Sequence, residues 1–342
     1  MKTRLFARVV AVLLASVLGV AKAGTELRVM VHSSFSLPKP MLAQFESQTG
    51  IQLVLIKGGD AGEMLNKLIL TRARPIADVV YGIDNSLLAR ALAAGVVDAD
   101  ALADDSAGNV AGVALARGVA AVDYGFVNIN YDRRALEKSG KPLPSSLQDL
   151  TRPEYKGWLV VPNPATSSTG FAFLLATIAG MGEQPAFAWW AGMRANGLKV
   201  AKGWSEAYYT EFSRNKGRHP LVVSYATSPA AEVFYSKEKL TQSPTASLNL
   251  PGGVFRQVEG VAVIKGGVQA GAAAQFADFL RSVPVQQALQ TDMWMYPALA
   301  GVSRAEVMRH APEPSHFETL PAQTIAERGA GWVARWTQTV LK

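Results

Sequence analysis

Gly118-Val119-Ala120-Ala121-Val122-Asp123-Tyr124-Gly125-Phe126-Val127-Asn128-Ile129-Asn130-Tyr131 is a long extended stretch with a distant counterpart, Val254 to Ile264. Both outrun the usual strand of about six residues, and one compact α/β unit lies between them. The chain is predicted to leave a first lobe near Ala121 to Gly125 and to return near Arg256 to Gly260. The fold class is therefore α/β, with two discontinuous lobes joined by a hinge and a ligand cleft between them. Lobe one takes residues 24–122 with 260–305 and lobe two takes 123–259. A helical segment, 306–342, braces both.

The segments on either side fit this plan. Leu27 to Val31, Ile51 to Ile56 and Asp78 to Gly82 read as strands. Helices over Pro40 to Ser47, Ala61 to Ala73 and Asn85 to Ala94 alternate with them, the last capped by Asp84. Trp158 to Val161, Leu198 to Ala201 and Leu221 to Tyr225 are the second lobe's strands. Its helices are Thr169 to Ala179, Gln184 to Ala195, Trp204 to Phe212 and Pro229 to Tyr235. Ala270 to Arg281, Val285 to Gln290 and Ile325 to Leu341 complete the helical tail.

Lys2, Arg4 and Arg8 precede the apolar run Val9 to Val20, and Ala21-Lys22-Ala23 follows. That order is a secretory signal peptide cleaved after Ala23, and the run is short for a bilayer span. The expected compartment is the periplasm. Removing the leader takes away four basic residues and no acid, so the net charge falls from +7 to +3, 30 basic against 27 acidic residues. No basic tract with interleaved aromatics points to nucleic acid. There is no cysteine, which excludes thiol chemistry, and the four histidines show no metal-ligand spacing. No metal or cofactor is expected.

Four words sit where strand ends meet helix starts, the crevice side of an open α/β sheet. Asp60 follows Gly58-Gly59 and precedes Glu63. It reads either as an N-cap with a capping-box partner or as a carboxylate facing a cation. Asn163-Pro164-Ala165-Thr166-Ser167-Ser168-Thr169-Gly170 offers hydroxyls at a helix N-terminus, as caps or as a polar-ligand or phosphate site. Lys202-Gly203-Trp204-Ser205-Glu206-Ala207-Tyr208 and Ser224-Tyr225-Ala226-Thr227-Ser228-Pro229 place aromatics at element ends, with Ser228 open to a capping role. Trp204 in its polar turn reads as a stacking platform. Trp294 and Tyr296, in Met293-Trp294-Met295-Tyr296-Pro297, read as packing residues on sequence alone.

These words, with Ala77-Asp78-Val79-Val80-Tyr81-Gly82-Ile83-Asp84-Asn85 and Asp123-Tyr124-Gly125, resemble in order and spacing the periplasmic thiamine-binding proteins of bacterial ABC importers. The resemblance runs through most of the mature chain. It implies a type II periplasmic binding fold. It also implies a monomer that captures thiamine and its mono- and diphosphate for a membrane permease and ATPase, with no catalytic chemistry. Carried over by motif, the contacts are Asp60, Ser167, Ser168, Trp204, Tyr225, Ala226, Thr227, Ser228 and Trp294. The thiazolium is a permanent cation that suits aromatic faces. Two positions depart from the family: His32 stands where a tyrosine is expected and Ala231 where an aromatic is. His32 joins the candidate contacts, stacking when neutral and repelling the thiazolium when protonated.

Two rival readings come from the same words. Tyr208-Tyr209 resembles the paired tyrosines of ferric-binding proteins, with His32 as a further ligand. Gly203-Trp204-Ser205-Glu206-Ala207 narrowly misses G-x-S-x-G, and a hydrolase built on Ser205 needs a base such as His219, His310 or His316.

Overall fold

The computed structural model describes residues 24–103 and 106–342; the expected signal peptide, with its expected cleavage after Ala23, lies outside the described residues. β1 (Thr25–Val31), α1 (Lys39–Thr49), β2 (Ile51–Lys57), α2 (Ala61–Leu70), β3 (Val79–Asp84) and α3 (Leu88–Ala93) open the chain. β4 (Val119–Asp132) is buried along its whole length and leads into α4 (Arg133–Ser139). The second unit holds β5 (Leu159–Pro162), α5 (Ser168–Met181), α6 (Glu183–Ala195), β6 (Lys199–Ala201), α7 (Trp204–Glu206), β7 (Leu221–Tyr225), α8 (Ser228–Phe234) and β8 (Thr245–Leu248). β9 (Phe255–Val263) returns to the first unit, followed by α9 (Ala270–Leu280), α10 (Val283–Asp292), β10 (Tyr296–Pro297) and α11 (Ala322–Leu341).

The strands run in the order β2-β1-β3-β9-β4-β7-β5-β6, with β8 and β10 also on β4. β1, β2 and β3 pair in parallel, and so do β5, β6 and β7. β4 and β9 are antiparallel to each other and carry both halves. Ala120 and Ala121 oppose Val261 and Gly260 at one end, and Phe126 and Val127 oppose Arg256 and Phe255 at the other. This pair is the crossing expected from the two long stretches. The parallel strands end at His32, Asn163, Lys202 and Tyr225, and these ends converge on the crossing.

Two apolar faces hold the sheet. Leu27, Val29, Val79, Val261, Phe276 and Leu280 pack on one face of the first half. Phe173, Trp189, Trp190, Leu221 and Trp336 belong to a core that runs beneath both halves. α11 lies against α6 and α3, so the tail touches both units. Trp336 is fully buried and meets Trp190 edge-on at 5.6 Å, while Trp332 Nε1 donates to Glu183 Oε2 at 2.8 Å. Among the described residues no helix is long and apolar enough to cross a membrane.

Three local expectations are corrected. The helix expected from Asn85 begins at Leu88, because Asp84 Oδ1 accepts from the N–H groups of Ser86 (2.7 Å) and Leu87 (3.1 Å) and holds a turn first. The helix expected from Trp204 to Phe212 is α only to Glu206. It then widens into a π-turn over Ala207–Glu211, where Phe212 N–H reaches back to Ala207 O at 3.0 Å. α4 was not expected. Its start is capped by Asp132, whose carboxylate accepts from Arg134 and Ala135, and its end by Gly140 at φ 64°.

Candidate functional site

A cavity of about 560 Å³ lies at the crossing, between the strand ends of the two halves. Of the residues singled out in the sequence, His32, Asp60, Ser168, Trp204, Tyr225, Thr227, Ser228, Trp294 and Ala231 line it. Ser167 and Ala226 do not. Ser167 is buried behind Asp60, and the Ala226 N–H is spent on Phe126 O at 2.8 Å, extending the sheet.

Trp204 is fixed from three directions. Its Nε1–H donates to Ser224 Oγ at 2.8 Å, and Ser224 is bonded to Ser228 Oγ at 2.9 Å. Ser228 therefore anchors the indole through Ser224, and α8 has no side-chain cap. The Trp204 ring is backed by Tyr208, stacked at 5.3 Å with 21° between planes. The π-turn gives Tyr208 that position, and its hydroxyl donates to Glu232 Oε1 at 2.8 Å. Tyr209 and Tyr225 stand edge-on to the indole at 5.4 and 6.4 Å, and the ring lines the cavity. Trp294 lies in the loop after α10 with φ 59°, a left-handed backbone uncommon for a bulky residue. Phe234 and Tyr235 meet its ring edge-on at 5.3 and 5.6 Å. Backbone strain held by such packing is typical of a positioned binding residue.

Asp60 joins the two halves. Oδ1 accepts from Ala61 N–H at 2.7 Å, and Oδ2 accepts from Trp204 N–H across the cleft at 2.9 Å. Its pKa is raised by burial, an effect opposed by these amides and by the N-terminus of α5, whose Ser168 N–H faces it. The Ser167 hydroxyl faces this carboxylate and helps to oppose the rise, without meeting the geometry of a hydrogen bond. The capping box is not formed: Glu63 turns instead to Lys202 Nζ at 2.9 Å, a second bridge over the cleft. Glu63 N–H donates to Thr166 O at 3.1 Å, and a Cβ on Gly62 would lie 2.7 Å from that same carbonyl. The helix end expected to take a phosphate is thus faced by a carboxylate.

Tyr225 closes the floor. Its hydroxyl donates to Gln257 Oε1 at 2.7 Å and lies 3.2 Å from Thr169 Oγ1. Gln257 Nε2 donates to Asp84 Oδ2 at 2.6 Å and Ser168 Oγ at 3.1 Å. One network therefore ties β3, β9, β7 and α5 together. His32 rests where Gly82, at φ 103°, leaves room; a Cβ there would come within 2.5 Å of the ring. Burial, with help from Lys57, lowers the His32 pKa to about 4. The imidazole is neutral at physiological pH, so its 3.7 Å approach to Glu259 is not an ion pair there. Repulsion of a cation by His32 is thereby moved to about pH 4.

The sequence reading missed the acids. Glu232, Glu259 and Asp292 line the cavity with Asp60, and no Lys or Arg does so among the described residues. The signal was present for Glu259, the one buried charge of the strand Phe255–Val263, which has no reason to bury a charge for packing alone. Glu232 and Asp292 sit near helix ends and look like ordinary surface residues in sequence.

Neither rival finds its geometry. Tyr208 is committed to Glu232 and to backing Trp204, and the Tyr209 ring stands at 80° to it. Ser205 shares the cavity with no histidine but His32. His219 Nδ1 lies 2.7 Å from Gly157 O and its Nε2 faces Glu211.

Comparison with known proteins shows the family and the fold. The sequence profile described as bacterial extracellular solute-binding protein matches residues 74–328. The thiamine-binding periplasmic protein of Escherichia coli strain K12 is 30% identical over 320 residues, covering 92% of this chain and 94% of that protein. A solved periplasmic thiamin binding protein superposes with a TM-score of 0.82 at 29% identity, over 92% of this chain and 96% of its own. The iron-bound HitA of Pseudomonas aeruginosa shares the fold at a TM-score of 0.72 and 22% identity, over 92% of this chain and 99% of its own. With its two-lobe α/β fold and its cleft at the crossing, the chain belongs to the bacterial extracellular solute-binding protein family, beside the thiamine-binding periplasmic proteins.

Proposed function

We propose that this chain captures thiamine in the periplasm and delivers it to an ABC transporter's permease and ATPase, as a monomer freed of its first 23 residues and without catalysis of its own. The observation that carries the reading is the lining of the cavity. It offers indole and phenol faces from Trp204, Tyr225 and Trp294, four carboxylates and no fixed positive charge among the described residues. Such a wall suits a flat aromatic cation, and 560 Å³ is within the range of small-molecule sites. The relatives named for thiamine binding support the same ligand.

The reading extends to thiamine mono- and diphosphate, which carry the same cation. The carboxylates rank them: thiamine first, then monophosphate, then diphosphate, with each phosphate weakening binding about tenfold or less. Calorimetric titration of the mature chain, refolded to strip carried-over ligand, tests this. Tight one-to-one binding of thiamine is the expected result, and no heat with any of the three forms would overturn it. Intact mass of the exported protein checks the cleavage site.

A further inference from the structure

Three acids meet at the crossing. Asp84 on β3 and Asp123 on β4 are both register partners of Glu259 on β9. Irregularities between Tyr81 and Ile83 and between Ala121 and Asp123 interrupt the ladders at that level; such bulges re-aim side chains. The three acids are nearly or wholly buried, yet only Glu259 reaches the cavity wall. Asp84 is satisfied by Ser86, Leu87 and Gln257. Asp123 is bonded to the Tyr81 hydroxyl. Tyr81 also lies 3.3 Å from Glu259 Oε2. It has one proton and two carboxylates to serve. With that proton given to Asp123, the Glu259 contact is a hydrogen bond only if Glu259 holds a proton of its own and donates it.

The surroundings favour that state. Glu259 faces His32, Tyr81, Asp84, Asp123 and Tyr225, with Asp60 farther off. No cation is among them, and the Lys57 ammonium is occupied by the Ser33 and Phe35 carbonyls. Burial first, then the charges of Asp123 and Asp84, holds Glu259 well above the usual carboxylate range. Burial likewise raises Asp123 to about 7. Of the other lining carboxylates, Asp60 already has an amide on each oxygen, and Glu232 is bonded to Tyr208 and Arg214.

We propose that Glu259 is the group that recognises the ligand's fixed positive charge, and that the ligand enters by displacing the proton Glu259 holds in the empty cleft. The Glu259 O–H bond breaks, its proton leaves to bulk water, and the carboxylate stays opposite the cation. This rests on the thiamine reading above. It makes Asp60 a latch between the halves and Glu259 the residue that selects for charge.

Calorimetry of the mature chain at pH 7.5 in two buffers of different ionisation enthalpy tests the step on the wild type. Thiamine binding is expected to release about one proton. Glu259→Gln, which keeps the shape and the Tyr81 contact, is expected to abolish the release, while Asp123→Asn keeps it. The ratio of affinities for thiamine and its neutral isostere 3-deazathiamine is expected to be about thirtyfold or more in the wild type and to fall to within about threefold in Glu259→Gln. Binding of thiamine with no proton release, or an unchanged ratio in Glu259→Gln, overturns the inference and leaves the thiamine reading standing. No thiamine binding by the wild type overturns both.

Discussion

At the scale of single residues, Trp204 and His32 carry the sharpest expectations. Trp204 is held by Ser224 and backed by Tyr208, so removing its ring leaves the scaffold in place. Trp204→Ala is expected to weaken thiamine binding by about a hundredfold, the scale of a central aromatic anchor, with an unchanged melting transition. The measurement is calorimetry beside thermal unfolding. For His32 the sign follows from its lowered pKa. Between about pH 6.5 and 4 the unfolded chain binds a proton that the folded chain refuses, so stability is full above 6.5 and falls as the pH drops toward 4. The loss is about 3 kcal/mol at most. Urea unfolding at pH 7 and pH 4 should show this component in the wild type and not in His32→Tyr. Thiamine affinity above pH 5 should keep the same pH dependence in both proteins, since the imidazole is uncharged there.

At the scale of elements, the tail helix and the cleft bridges differ in kind. α11 seats Trp336 against Trp190, and neither indole lines the cavity. Trp336→Ala is expected to cost about 3–5 kcal/mol of stability and to leave the dissociation constant of the folded protein within about twofold, a split that denaturant titration and calorimetry resolve. The Lys202–Glu63 bridge has an exposed lysine, 71% accessible at its side chain. Such pairs contribute about 0–1 kcal/mol. Lys202→Ala should therefore weaken binding less than about fivefold, whereas Asp60→Asn, which disturbs the amide bridge to Trp204, should weaken it by more. If Lys202→Ala is the more damaging of the two, the division of labour across the cleft is wrong.

At the scale of the molecule, the two halves meet closely enough that only glycine fits at position 62. An added Cβ would press on the Thr166 carbonyl from the opposite half. In α2 itself the same change is favourable by about 1 kcal/mol, because alanine is the better helix former. Gly62→Ala is thus expected to hold stability level or raise it while lowering thiamine affinity by about tenfold, since closure rather than folding is obstructed. Small-angle scattering with saturating thiamine should show the variant less compact than the wild type. A variant that closes and binds normally would remove Gly62 from the closing surface.

The sequence by itself determined the alternation of strands and helices and the two crossing stretches, and it marked Trp204 and Tyr225. These features are local: hydrophobic period and turn residues act over a few positions, and Trp204 and Tyr225 stand at element ends that such patterns mark, whereas Trp294 reads there as a packing residue. Only the tertiary structure decided which polar groups remain for a ligand. Ser167 and Ser168 look equivalent in sequence and both are buried, but only Ser168 reaches the cavity wall. Glu232, Asp292 and Glu259 became one acidic lining because the ends of α8 and α10 meet the middle of β9 at one cavity. The Glu259 proton, likewise, follows from neighbours on β3 and β4 that the strand Phe255–Val263 cannot announce. Burial and charge pairing are properties of the assembled sheet, and a single segment carries neither.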